Sequence, residues 1–233
     1  MLLSHRFLKK DMDKVKGILF AALSAATFGL IPLYANQAIL DGVNNETILV
    51  YRYGIAGILY AIYLLFRGTN MRLSRGEVKE VTIAGVGGYG ITAFFLMWSY
   101  HYMPTGVATA IHFFYPVVVA LLMAIFYKER LPLAVKAGIV LAICGVYLLS
   151  WTPGEVKWLG LFFVLMSTLT YGCYITALNR PVLKRINPDV LTCYVLLFTA
   201  LFYLIIAVVQ GKMEIITRPR FLMDMGQLAI LST

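Results

Sequence analysis

The side chains best suited to binding chemistry lie on one apolar stretch, TGVATAIHFFYPVVVALLMAIFYKERLP. Thr105, Thr109, His112 and Pro116 recur every three or four residues, so a helix places them within an arc of about 60°. Pro116 has no backbone N–H, which leaves the carbonyl of His112 without its helical partner and predicts a kink. This face could recognise a small polar molecule. The alternative is a packed neutral histidine beside a purely structural kink.

A second polar face is predicted on the stretch from Trp158 to Leu178. There the hydroxyls of a serine, a threonine and two tyrosines share one side of a helix, although packing alone could explain each of them. The residues expected to line a binding cavity are Thr27, Trp98, Thr109, His112, Tyr171 and Tyr174, with helix kinks at Pro32 and Pro116. Tyr89, Phe113 and Phe114 could add aromatic lining.

The sequence lacks the residues that several other kinds of chemistry would require. No Asp or Glu lies in the interior of the apolar segments, which argues against a carboxylate proton relay and against a membrane metalloenzyme. Cys144, Cys173 and Cys193 lack metal-ligand spacing. The glycines of AGVGGYG have GxGxxG spacing, but they lie inside an apolar helix rather than between a strand and a helix, so helix packing explains them better. We therefore expect no catalytic residues, no metal and no cofactor.

Composition identifies the elements that must hold these side chains. The chain is 61% hydrophobic and 13% charged, with a mean hydropathy of +0.81. Soluble domains are nearer 45–50% apolar and about 25% charged. The net charge of +9 is concentrated in short loops between apolar segments, which argues against nucleic-acid binding. The chain is therefore predicted to be an all-α, multi-pass membrane protein in contact with lipid.

Seven apolar segments are long enough to cross a bilayer as helices. Helices are favoured because lipid offers no partner for an unpaired backbone amide, and the alternation typical of barrel strands is absent. The segments are Val15–Leu40, Thr47–Phe66, Val81–Tyr100, Gly106–Tyr127, Leu131–Ser150, Trp158–Leu178 and Pro188–Val209.

Loop charges predict the orientation. Fifteen Lys and Arg residues lie in the N-terminal tail and the alternate loops on its side, against four on the other side. The positive-inside rule therefore predicts a cytoplasmic N-terminus in the inner, or cytoplasmic, membrane of a cell. The loop 210–224 carries three of those four charges and fits least well. Arg52, about six residues into its segment, is expected to snorkel to the external surface.

An internal repeat becomes visible when the chain is aligned with itself, without gaps, so that Gly17 meets Gly160. The agreement continues through the following loops. Further matched pairs are Phe20 and Phe163, Ser24 and Ser167, Thr27 and Thr170, Asn44 and Asn187, Tyr51 and Tyr194, Tyr60 and Tyr203, and Gly68 and Gly211. The first unit contains five segments, and an odd number predicts that the second unit is inserted upside down.

The repeat predicts three regions: a cytoplasmic tail at 1–13, a first five-helix unit at 14–150, and an incomplete second unit at 157–233. Thr233 corresponds to Gly90, so the counterpart of residues 91–150 is missing. Seven complete spans and the start of an eighth are expected here, out of ten in a full-length protein.

These features together resemble the EamA-type transporters of the drug/metabolite transporter superfamily. The likeness is clearest in YHYMPTGVATAIHFFYPVVVALLMAIFYKERL, with GVYLLS and FGLIP in support, and it covers residues 14–233. Its characteristic positions are Pro104, Gly106, Ala108, Pro116 and Glu129. The resemblance implies two inverted five-helix repeats around a central cavity, and export of amino acids or related metabolites from the cytoplasm of bacteria.

The sequence thus predicts a transporter of small metabolites, working as an exporter by alternating access. The expected partners are a small-molecule substrate and the lipid bilayer, and a homo-oligomer is left open. The alternative is a membrane protein that does not transport, either a truncated remnant or a helper subunit. A membrane enzyme ranks third because the sequence offers no catalytic constellation.

Overall fold

The computed structural model describes residues 31–128, 131–150, 157–216 and 219–231. Across these residues the chain is helical, and they include no strand. The helices are α1 Ile31–Leu40, α2 Asn45–Phe66, α3 Arg75–Ser99, α4 Thr105–Phe126, α5 Leu133–Ser150, α6 Trp158–Ala177, α7 Pro188–Val209 and α8 Pro219–Leu231, with a short helix at Pro181–Arg185 between α6 and α7.

Five of these helices, α2, α3, α4, α6 and α7, are long and apolar enough to cross a membrane. Helix α5 contributes a shorter apolar stretch, Val135–Leu148. Large apolar side chains are exposed along the helices, as expected where lipid replaces water. Most of the predicted first span, with Thr27, lies outside the described residues, so five of the predicted seven spans are found among those described.

The third span begins six residues earlier than the sequence pattern predicted, at Arg75 rather than Val81. The reason is a capping box. The Ser74 hydroxyl accepts from the Glu77 backbone N–H, and the Glu77 carboxylate accepts from the Ser74 N–H. These bonds stabilise a polar helical turn ahead of the apolar residues, a turn that hydropathy alone does not detect.

The glycine-rich part of α3, Ile83–Gly90, is a π-helix. A Cβ atom on Gly85 would lie 3.3 Å from the Cα of Val195, and one on Gly88 would lie 2.9 Å from the Cβ of Tyr174. These glycines therefore allow α3 to approach α7 and α6 closely. The Thr199 hydroxyl donates to the carbonyl of Gly85 at 3.1 Å, which compensates one of the rearranged backbone groups.

Helix α4 is interrupted at Phe113 and Phe114, two residues before Pro116. The Phe113 N–H still bonds to the Thr109 carbonyl, but the Phe114 N–H bonds three residues back, to Ile111. The interruption thus separates Thr105–His112 from Tyr115–Phe126 and turns His112 into the interior. The kink predicted at Pro32 falls at the edge of the described residues, so its geometry is not described.

Helices α2 and α7 form the most extensive pairing and run antiparallel. Each has 22 residues, and each begins after an asparagine, Asn44 or Asn187, whose side chain accepts a hydrogen bond from the first turn. Each is followed by a glycine at φ +64°, Gly68 or Gly211. All these positions correspond in the repeat alignment.

Two tyrosines connect each of these helices to the segment that follows the other. The Tyr51 hydroxyl on α2 accepts from the backbone N–H of Ile216 at 3.1 Å. The Tyr194 hydroxyl on α7 donates to the carbonyl of Met71 at 2.9 Å. Because Tyr51 and Tyr194 are themselves repeat counterparts, the two contacts are reciprocal.

Candidate functional site

A small pocket lined by both polar and apolar side chains lies where α2, α3, α4 and α6 meet. It encloses about 30 Å³. Its apolar wall comes from α3, and its polar groups come from all four helices and from the turn after α3. The lining residues are Arg52, Tyr53, Tyr89, Thr92, Ala93, Leu96, Met97, Tyr100, His112 and Tyr171.

Arg52 provides the positive charge of this pocket, and the prediction that it snorkels to the surface is wrong. Only 6% of the residue is exposed. The guanidinium lies 5.0 Å from the centroid of the Tyr53 ring, in cation–π contact. Its Nε is fully buried, and no acceptor among the described residues bonds to it.

Snorkelling fails because other parts of the chain cover the start of α2. The carbonyl of Lys212 accepts from the Asn44 side chain at 2.6 Å and from the Thr47 hydroxyl at 3.1 Å. The Lys212 ammonium lies 3.6 Å from the Glu46 carboxylate. The segment after α7 therefore covers one side of the start of α2, while Arg52 lies on the side that faces the pocket and the turn after α3.

His112 also lines the pocket and is held by a defined network. It is 2% exposed, and its Nδ1 lies 3.0 Å from the Ser167 hydroxyl. The same hydroxyl lies 3.1 Å from the carbonyl of Thr92. Ser167 therefore links the imidazole to the backbone of α3, and the tautomer of His112 sets which atom donates at Nδ1.

Tyrosines connect the pocket to the neighbouring helices. The Tyr171 ring lies 5.3 Å from the His112 ring and packs edge-on against Tyr115 at 4.6 Å. Tyr174 lies one turn further along α6, 5.5 Å from Tyr89 and 5.8 Å from Tyr171 between ring centroids. A row of amphipathic rings therefore extends from the pocket along α6.

The structure brings together some of the predicted lining residues and separates others. His112 and Tyr171 face the pocket directly. Thr109 lies behind it, with its hydroxyl 3.1 Å from the Tyr100 hydroxyl. Tyr174 lines a separate cleft between α3 and α6, of about 370 Å³. Trp98 lies away from the pocket, in an aromatic cluster with Phe94, Phe163 and His101.

Sequence reasoning missed Arg52, Tyr53, Thr92 and Tyr100 as pocket residues. The repeat alignment offered one indication for Arg52, because this charged residue corresponds to the apolar Val195. Among the described residues, no group of three or more His, Cys, Asp or Glu side chains could hold a metal ion.

Comparison with known proteins identifies the family. Residues 15–151, more than half of the chain, match the EamA-like transporter family. The chain belongs to this family. It is therefore a multi-pass membrane protein of the drug/metabolite transporter superfamily, and the resemblance inferred from sequence is confirmed. Proteins of the family are generally transporters and not enzymes.

Two curated relatives agree with this assignment. An uncharacterized transporter of Archaeoglobus fulgidus is 29% identical over 141 residues, which cover 60% of this chain and 49% of the relative. A probable terminal-alkyne amino-acid exporter of Streptantibioticus cattleyicolor is 26% identical over 166 residues, which cover 71% of this chain and 55% of the relative. The chain thus spans about half the length of the curated relatives it matches.

A solved crystal structure has the same fold. Its TM-score is 0.63 at 19% identity, and the match covers 90% of this chain and 74% of the other. At that identity the likeness concerns the arrangement of the helices and not the function.

Proposed function

We propose that the pocket around Arg52, His112 and Tyr171 is the substrate site of a metabolite exporter. The observation that carries the proposal is the burial of a cation, an imidazole and several hydroxyls together between membrane-spanning helices. Polar and ionisable side chains at such depth are costly and mark substrate pathways. Amino acids or related compounds are the proposed substrates, as the name of the Streptantibioticus relative suggests.

Transport requires this pocket to open to either side of the membrane. At about 30 Å³ it is far smaller than the 300–1,000 Å³ typical of pockets that take a whole small molecule. The proposal therefore requires the pocket to widen around a bound substrate. Alternating access follows when one group of helices rocks against the other and widens the pocket toward one surface at a time.

In this proposal, the two groups of helices that rock against each other are the two inverted repeats. The antiparallel packing of α2 and α7, their equal lengths and their matching end structures support this part of the proposal. Two halves built alike and inserted in opposite directions give inward-open and outward-open states of similar energy. The proposed orientation has a cytoplasmic N-terminus in the cytoplasmic membrane.

Efflux from cells that overproduce the protein tests this function. We expect lower intracellular levels of at least one amino acid or related metabolite than in cells with an empty vector. His112→Ala and Tyr171→Phe should reduce this efflux, because they remove groups that face the pocket. Phe66→Ala, at the exposed end of α2, is the matched control and should leave efflux unchanged. Unaltered efflux in both pocket variants would refute the site.

A further inference from the structure

We infer that Arg52 is the anchor for a carboxylate group on the transported molecule. This inference rests on the proposed function and deepens it, because it names the chemical class of the substrate. Arg52 is the eighth residue of α2, about 10 Å along the helix from Asn45. The guanidinium therefore lies well inside the span and not at its end.

Arg52 has no ion-pair partner among the described residues. The two ion pairs formed by the described residues are Arg180 with Glu80 and Lys212 with Glu46, and neither involves Arg52. The aromatic ring of Tyr53 offers only a weak attraction to the charge. An uncompensated buried charge is strongly unfavourable, so a site that retains one has use for an anion.

The charge of the pocket favours a carboxylate over a phosphate. The pocket holds one guanidinium, and among the described residues no Lys accompanies it. A singly charged carboxylate balances this cation, whereas a doubly charged phosphate would leave an excess negative charge in the membrane interior. The planar fork of a guanidinium also matches the two oxygens of a carboxylate, which it binds through two parallel hydrogen bonds.

The rest of the pocket suits the organic part of a carboxylate-bearing molecule. The rings of Tyr89 and Tyr171 and the side chain of Leu96 offer apolar contact. His112 bonds to Ser167 through Nδ1 and has Nε2 on the other edge of its ring for a ligand. A hydroxyl group beside the carboxylate pairs with Nε2 in either tautomer, and an amino group pairs with it when Nδ1 carries the proton, as in a hydroxy acid or an amino acid.

Ligand-induced thermal stabilisation of the full chain in detergent tests the inference. The probes are the proteinogenic amino acids and simple hydroxy acids, each compared with its primary amide, which keeps the shape and removes the charge. Inorganic phosphate and chloride are tested in parallel. We expect at least one carboxylate to raise the unfolding temperature in a saturable manner, and its amide to bind at least about tenfold more weakly.

Three variants assign the effect to the residue. Arg52→Gln should weaken carboxylate binding at least about tenfold and remove the preference for acid over amide. Arg52→Lys keeps the charge but loses the fork, so binding should be intermediate. Arg67→Gln is the matched control, because Arg67 ends the same helix, is exposed, and likewise lies over a tyrosine ring, at 5.6 Å. It should behave as wild type.

Each contrary result overturns the inference. For the wild-type chain, such results are equal binding of acid and amide, stabilisation by phosphate or chloride alone, or no stabilisation by any carboxylate. For the variants, the contrary result is an unchanged preference for acid over amide in both Arg52→Gln and Arg52→Lys. Efflux separates this failure from failure of the proposed function. A protein that exports a metabolite yet shows any of these results is a transporter without a carboxylate anchor, whereas one that exports nothing is not a transporter.

Discussion

Helices α2 and α7 have matching caps but differ at a buried position in their interior, where α2 has Arg52 and α7 has Val195. Both have 22 residues, an asparagine cap and a left-handed glycine after the last turn. Immediately after the tyrosine that each shares with its counterpart, they diverge. Arg52 in α2 lines the polar pocket, whereas its counterpart Val195 in α7 packs against Gly85 in a buried apolar cluster.

The ends and the interior of these helices are constrained by different contacts. The ends of the helices determine how the two helices are positioned in the bundle, so the same residues serve in both. The middle of each helix meets different neighbours, since α2 faces the pocket and α7 faces the glycine-rich part of α3. On the proposed repeat, the shared caps serve the packing of both helices, and Arg52, which lines the pocket, is a position at which the two helices differ.

The largest effect is expected from placing the charge of α2 at the corresponding position of α7. Val195→Arg should abolish folding or cost about 3–5 kcal/mol, the usual cost of a buried charge without a partner. Val195 is 3% exposed, and the close approach of Gly85 leaves no room for the side chain. Folded yield and SDS titration of the purified protein measure this. Val209→Arg, at the exposed end of α7, is the control and should fold normally.

The reverse change in α2 should have the opposite sign. Arg52→Met keeps a long unbranched side chain and removes the charge. Without added ligand, it should raise the free energy of unfolding by roughly 1–4 kcal/mol, because the cost of burying the guanidinium disappears. SDS titration measures the change, and Arg67→Met should stay within about 0.5 kcal/mol of wild type. A less stable Arg52→Met would mean that the arginine holds the fold together.

A smaller difference is expected between the two caps. Asn187→Ala should cost about 1 kcal/mol, because that side chain caps its own helix by accepting from Asp189. Asn44→Ala should cost about 1–2 kcal/mol more. Besides accepting from Thr47, Asn44 donates to the Lys212 carbonyl and to the Glu214 carboxylate, at 3.0 Å. Equal costs in SDS titration would show that these contacts across the repeat contribute nothing.

The sequence predicted the helices well because their signals are local. Apolar length located α2, α4, α6 and α7 to within two residues at each end. It missed the first turns of α3, whose capping box is polar. The family was also recognisable from its motifs, since Pro104, Gly106 and Pro116 lie close together in one stretch.

The pocket was only partly predictable because it depends on contacts between distant segments. Periodicity placed His112 on a predicted polar face, but its hydrogen-bond partner Ser167 lies on another helix, 55 residues away, and could not be predicted. The position of Arg52 was misjudged because its side chain faces a pocket formed with Tyr100 and His112, which lie on segments that follow α2 in the chain. Trp98 was expected in the cavity wall because of its residue type. In the structure its neighbours are other aromatic rings, which belong to distant parts of the sequence as well as to its own helix.

The central claim is that α2 and α7 cross the membrane in opposite directions, as members of inverted repeats. Single cysteines replacing Arg72 and Gln210, one just beyond each helix, test it most directly in a chain whose three native cysteines are alanines. With a membrane-impermeant maleimide, we expect Gln210→Cys to be labelled in intact cells, and Arg72→Cys only after permeabilisation. Labelling of both positions from the same side would contradict the account.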